Sequence, residues 1–147
     1  MRGVYLVSVW LHILAAMTWM GGMVLFVAAV MPYFRNRPED ERTRFLEWFG
    51  ARFRAVSWWC FGALIATGSF NLWMRGVHLA DLARAEWHAT TFGRLAMIKL
   101  TLVAIAVIIS AAHERVTARQ WARWMGRSLL LIGFAIVAIA VLLVRAS

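Results

Sequence analysis

Two ionisable side chains stand inside long apolar runs of this chain: His12 in "VSVWLHILAAMTW" and Lys99 in "GRLAMIKLTLVAIAVIISAAH". A neutral imidazole ligates iron, copper or zinc, and an ammonium holds a carboxylate or another anion. Charge is costly in hydrocarbon, so an ionisable residue there is a functional candidate by default, with a partner to be named. Lys99 is the one lysine among sixteen basic residues, and all seven acids (Glu39, Asp40, Glu41, Glu47, Asp81, Glu86 and Glu114) lie outside the apolar runs. Three partners are therefore open to Lys99: the outer interface, reached by snorkelling; Asp81 or Glu86, from a loop; or an anionic ligand. For His12 two readings stand, a histidine hydrogen-bonded to a neighbouring helix and a metal ligand.

Softer and polar groups share faces with these two. Met17, Met20 and Met23 in "MTWMGGM" recur every three residues; thioethers favour Cu(I), and methionine is equally a filler of helical bundles. Ser8, His12, Ala15 and Trp19 fall on one helix face, with Gly21 and Gly22 small enough for close helix approach. Cys60, Thr67, Asn71 and Met74 fall on another, and Lys99, Val103, Ala106, Ser110 and His113 on a third. "RGVHLADLARAEWHATT" adds His78 and His88, expected at the two ends of a short helix over Leu79 to Trp87, as loop residues or further metal ligands. A polar pocket opening outward among the first three spans is expected.

The elements that would carry these faces follow from composition. The 147 residues are 63% hydrophobic, too apolar for a soluble domain. Four stretches, 3–34, 55–74, 95–112 and 128–144, approach the roughly 17 to 25 residues needed to cross ~30 Å of hydrocarbon. The expected fold is all-α: an integral membrane four-helix bundle of one domain, 1–147, with short interfacial helices. The first stretch reads as a retained helix and not a leader, being far longer than a signal peptide's apolar core. Cys60 is the single cysteine and makes no internal disulfide.

Ten arginines lie between spans one and two or between spans three and four, against five on the other side. The positive-inside bias puts the ten in the cytoplasm and both termini outside, in a bacterial-type inner membrane. His12 and Lys99 then share a depth, ~10 to 14 Å below the outer surface at 1.5 Å per residue. In "NRPEDERTRFLEWFG", Pro38 opens a helix, with Glu39, Asp40 and Glu41 complementing its dipole. "HERVTARQWARWMGR" spaces its arginines four apart beside Trp121 and Trp124. Both read as interfacial helices. The net charge of +9 points to anionic lipid headgroups and not to nucleic acid, because the arginines flank apolar spans.

The stretches "LHILAAMTWMGGMVLF", "RFRAVSWWCFGALIATGSFNLW", "FGRLAMIKLTLVAIAVIISAAHE" and "AVLLVRAS" resemble the small stand-alone members of the CopD (copper resistance D) family. A histidine near the start of span one and a lysine in span three are also similar to HemJ-type protoporphyrinogen oxidases. That resemblance implies haem b binding through His12 and Lys99, and an oxidoreductase activity. This chain has "VMPYFR" at the end of its first span, where the HemJ pattern differs. The CopD resemblance implies copper uptake.

The first functional expectation is a haem b protein of the membrane, acting in electron transfer or in oxidation of a small reduced substrate. His12 would be an axial ligand, with His78 or His88 a second, Lys99 would meet a haem propionate, and Asn71 and Trp19 would line the site. Haem brings its own two carboxylates, which answers the lack of a transmembrane acid. Copper binding or transport through His12, Met17, Met20 and Met23 is the alternative, and a cofactor-free structural subunit the third. A redox partner or a second copy of the chain is an open partner.

Overall fold

The structure is a computed structural model describing residues 2–78, 80–113 and 119–145, with backbone alone over 119–123. Among the described residues it is all-helical, without a strand. Three helical segments among the described residues are long and apolar enough to cross a membrane: Arg2–Asn36, Thr91–His113 and Trp124–Arg145. The chain divides into two compact units, Met1–Gly76 and Val77–Ser147.

The first unit is a helical hairpin. α1 (Arg2–Leu25) runs through a π-helical turn at Phe26–Val30 into α2 (Met31–Tyr33) and a 3-10 turn at Phe34–Asn36. Pro32 explains the widened turn: proline has no N–H for the i−4 bond, and its ring would strike the carbonyl four residues back, so the ladder opens before it. α3 (Glu39–Met74) returns as one helix of 36 residues. Pro38 caps its start, and Glu39, Asp40 and Glu41 fill its first turn, as the sequence predicts. The expected interfacial helix is not separate, however; it is the first half of α3. Nothing between Glu39 and Met74 breaks the helix, since the segment holds no proline and its glycines are isolated. At 1.5 Å per residue α3 is ~54 Å long.

The contacts of α1 with α3 run in opposite order along the two helices: Ser8 with Thr67, Trp19 with Phe61, Phe26 with Phe49, Phe34 with Phe45. The helices are thus antiparallel over their whole length. Close to the turn the seam is a stack of phenylalanines, Phe45, Phe49 and Phe53 following one another one helical turn apart at 5.7 and 5.6 Å. Higher up, Trp19, Met20, Met23, Cys60 and Phe61 are buried. Gly22 lets the chains meet there, because a Cβ on it would run into the Phe53 ring. α3 ends where Gly76, at φ +78°, takes the left-handed conformation that closes a helix C-terminus at low cost.

In the second unit the expected loop helix is broken in two. A 3-10 turn at Asp81–Ala83 is followed by α4 (Ala85–Ala89), with Arg84 extended between them. Leu79 lies outside the described residues. Asp81 makes the break: its Oδ2 accepts the His78 backbone N–H at 2.8 Å and its Oδ1 the Arg84 side chain at 2.7 Å, which ties the segment into a turn. Thr90 caps α5 (Thr91–His113), its hydroxyl oxygen accepting the Gly93 N–H at 3.0 Å. α5 packs on α6 (Arg119–Arg145). Gly93, Ala96, Ala106 and Gly133 are among the buried residues, small side chains that let backbones approach. The second expected interfacial helix falls partly on Glu114–Ala118, outside the described residues; from Arg119 onward that stretch is continuous with α6.

Large apolar side chains face outward along every long helix, among them Leu6, Val7, Trp59, Ile108, Leu131 and Val144. Soluble monomers do not leave surface of this extent and continuity uncovered; its chemistry suits a bilayer.

Candidate functional site

His12 lies midway along α1 on the face turned to α3. Its Nδ1 is 2.8 Å from the Thr67 Oγ1, and the Thr67 hydroxyl donates to the Ala63 carbonyl, one turn back, at 2.5 Å. This back-bond is the ordinary resort of a threonine inside a helix. Ser8, buried one turn from His12, donates to the Thr67 carbonyl at 3.5 Å. Gly68 lies against the imidazole, where a Cβ would stand 3.3 Å from Cε1. The ring is half-buried and meets a hydroxyl at Nδ1.

One turn beyond Thr67, the Asn71 Oδ1 is buried without a hydrogen-bond partner among the described residues. A buried acceptor left unpaired costs ~1 to 3 kcal/mol. At the open end of the hairpin the Arg75 Nε donates to the Tyr5 hydroxyl at 3.5 Å. The hairpin therefore carries a polar ladder, Ser8, His12, Thr67, Asn71, Tyr5 and Arg75, at the end away from its turn. Of the two sequence faces, Ser8 and His12 on α1 meet Thr67 on α3 here.

The other sequence candidates take different places. Trp19 is 5% exposed and packs on Phe61 at 5.0 Å, in the hydrophobic seam toward the turn. Met20 and Met23 are buried in the same seam while Met17 is 64% exposed, so the three thioethers do not converge; a spacing of three on a helix of 3.6 residues per turn rotates them apart. In the second unit His78 is exposed, and the half-buried His88 meets Trp87 edge-on at 5.6 Å. Lys99 is half-buried on α5. Both oxygens of Asp81, one of the acids considered for Lys99, are engaged by the His78 backbone and Arg84.

Among the described residues no three His, Cys, Asp or Glu side chains come together as a metal site. Metal bound wholly by protein wants three or four such ligands, whereas haem brings four nitrogens and asks the protein for one or two. The signals the sequence did not offer are the Thr67 to Ala63 back-bond and the contact of Gly68 with the ring; neither residue belongs to a ligand motif.

An all-helical chain, with three segments of membrane-spanning length and apolarity and a histidine held in a helical hairpin, is the class these features define. Comparison with family models, with curated proteins and with solved structures returned no match.

Proposed function

We propose that the chain is a membrane haem b protein, with His12 as an axial ligand, serving electron transfer or the oxidation of a small reduced substrate. The observation that carries this reading is the imidazole of His12, set in an apolar helix and held through Nδ1, the arrangement in which a histidine presents its other nitrogen to a metal. The donor set favours haem over an all-protein metal site, since one imidazole satisfies the first and not the second. Asn71, with its unpaired acceptor one turn from Thr67, is a polar group that a ligand or an ordered water would satisfy. The resemblance to HemJ-type proteins agrees with this assignment of His12.

The reading includes four membrane crossings, the fourth being 55–74 of α3. Ser57, Thr67, Ser69, Asn71 and several tryptophans make this stretch less apolar than the other three. Its depth is set by α1, along which it lies antiparallel from Ser8 to the turn. A helix paired along its length with a membrane-crossing helix crosses as well, and Ser57 is buried while Thr67 meets α1 in the seam.

Bound haem would supply one-electron chemistry, with a potential set by axial ligation and burial.

The test is the absorption spectrum of the protein purified from its membrane. A Soret band lost in His12→Ala and retained in His78→Ala is the expected result. A colourless protein carrying stoichiometric copper overturns the reading in favour of the copper alternative.

A further inference from the structure

We propose that Thr67 fixes the ring proton of His12 on Nδ1, and is thereby the positioning residue that makes Nε2 the ligating atom. The inference rests on the haem reading for its functional consequence; its premise stands on hydrogen-bond chemistry alone.

A threonine hydroxyl has one hydrogen. The Ala63 carbonyl oxygen can only accept, and two oxygens at 2.5 Å need that hydrogen between them. The Thr67 proton is therefore committed to Ala63, and Oγ1 faces Nδ1 at 2.8 Å with lone pairs only. A lone pair meeting a lone pair at that distance is repulsive, so Nδ1 must donate. In a neutral imidazole one nitrogen then carries the proton and the other the lone pair; the lone pair is on Nε2. This is the less favoured tautomer of free histidine, and the relay imposes it.

Ligating histidines ordinarily donate their second N–H to a carboxylate, a backbone carbonyl or water. No acid lies within the apolar runs of this chain, and here a hydroxyl relays the proton's partner role to a backbone carbonyl. The chain of donors, Nδ1 to Oγ1 to the Ala63 oxygen, polarises along its length and raises the basicity of Nε2. Gly68 leaves room for the ring, since a Cβ there would stand 3.3 Å from its Cε1. Thr67 thus sets both the orientation and the strength of His12 as a ligand through Nδ1, leaving Nε2 as the ligating atom.

The experiment uses the full chain in lipid nanodiscs, labelled at histidine nitrogens and free of added haem, at a pH where imidazoles are neutral. Nitrogen NMR reads the tautomer of His12, identified by the resonance missing from His12→Ala. The expected result is Nδ1–H in the wild type and in Thr67→Ser, and Nε2–H in Thr67→Val. An Nε2–H tautomer in the wild type, or a tautomer that Thr67→Val leaves in place, overturns the proposal. In cells supplied with haem, Thr67→Val is expected to retain about tenfold less haem than Thr67→Ser, the lower end of what loss of such a partner costs, and any bound haem to show a raised midpoint potential. If the tautomer behaves as expected and no variant binds haem, the assignment of the proton is upheld and the haem reading is the one that fails.

Discussion

At the scale of single residues, the polar groups of the hairpin differ in how well they are satisfied. Thr67 is engaged on both sides, by His12 and by Ala63, whereas the Asn71 Oδ1 is buried without a partner among the described residues. A site built only for stability would replace such an amide by a hydrocarbon, because the unpaired acceptor costs ~1 to 3 kcal/mol. Asn71→Leu is therefore expected to raise the melting temperature of the haem-free protein and to reduce haem retention. A variant that melts lower without haem would show that the amide is already satisfied. His12 itself was legible in the sequence as an ionisable residue in a span. Its hydroxyl partner was not, because threonines on apolar helices are common and only the register of α3 against α1 selects one of them.

The elements are held by packing at two kinds of seam. The α1 to α3 seam alternates aromatic stacking, Phe26 on Phe49 at 5.1 Å and Phe34 on Phe45 at 4.5 Å, with a close approach at Gly22. The neighbouring glycines give a paired test. A Cβ on Gly22 meets the Phe53 ring, while one on Gly21 meets open space. Gly22→Ala is expected to destabilise the hairpin by about 1 to 3 kcal/mol, the usual cost of overpacking. Gly21→Ala is expected to be neutral or to stabilise by up to ~1 kcal/mol through helix propensity. Thermal unfolding in detergent compares the two, and equal effects would place the seam elsewhere. The sequence showed both glycines as candidates for close approach, and only the rotation of α1 against α3 told them apart. The same limit applied to the loop helices. Their amphipathic patterns were visible, but continuity of α3 through Arg54 and Ala55 was not, since a charged segment and an apolar one form one helix as readily as two.

For the whole molecule, the length of the hairpin is the feature with consequences. Its two arms, 35 and 36 residues long, each extend ~50 Å at 1.5 Å per residue, against ~30 Å of hydrocarbon. With α3 crossing as proposed, the turn end, with Arg35, Arg37, Arg44, Arg52 and Arg54, would reach beyond the hydrocarbon into headgroups and water. Exposed pairs decorate it: Arg44 with Asp40 at 3.0 Å, and Arg37 with Glu41 at 3.9 Å and over the Tyr33 ring at 4.8 Å. Pairs this exposed contribute ~0.2 to 1 kcal/mol at most, so their chief effect is on depth and orientation. In a Cys60→Ala background, Arg44→Cys is expected to react with an impermeant maleimide from the cytoplasmic side and Arg75→Cys from the opposite side. Labelling of both from one side would remove the crossing by α3.

The sequence by itself determined the class of the protein and its chemical candidates. Apolar runs of spanning length, the distribution of the arginines between them and the exclusion of all acids from them are one-dimensional properties, and the cost of burying charge makes His12 and Lys99 conspicuous without any coordinates. Tertiary structure decided which candidates meet. A helix offers several faces, and contacts depend on the rotation and register of its neighbour, which side-chain shape sets by packing. That is why Trp19 and Met20 fall into the apolar seam while Met17 turns outward. It is also why the Thr67 hydroxyl comes to lie 2.8 Å from the Nδ1 of His12.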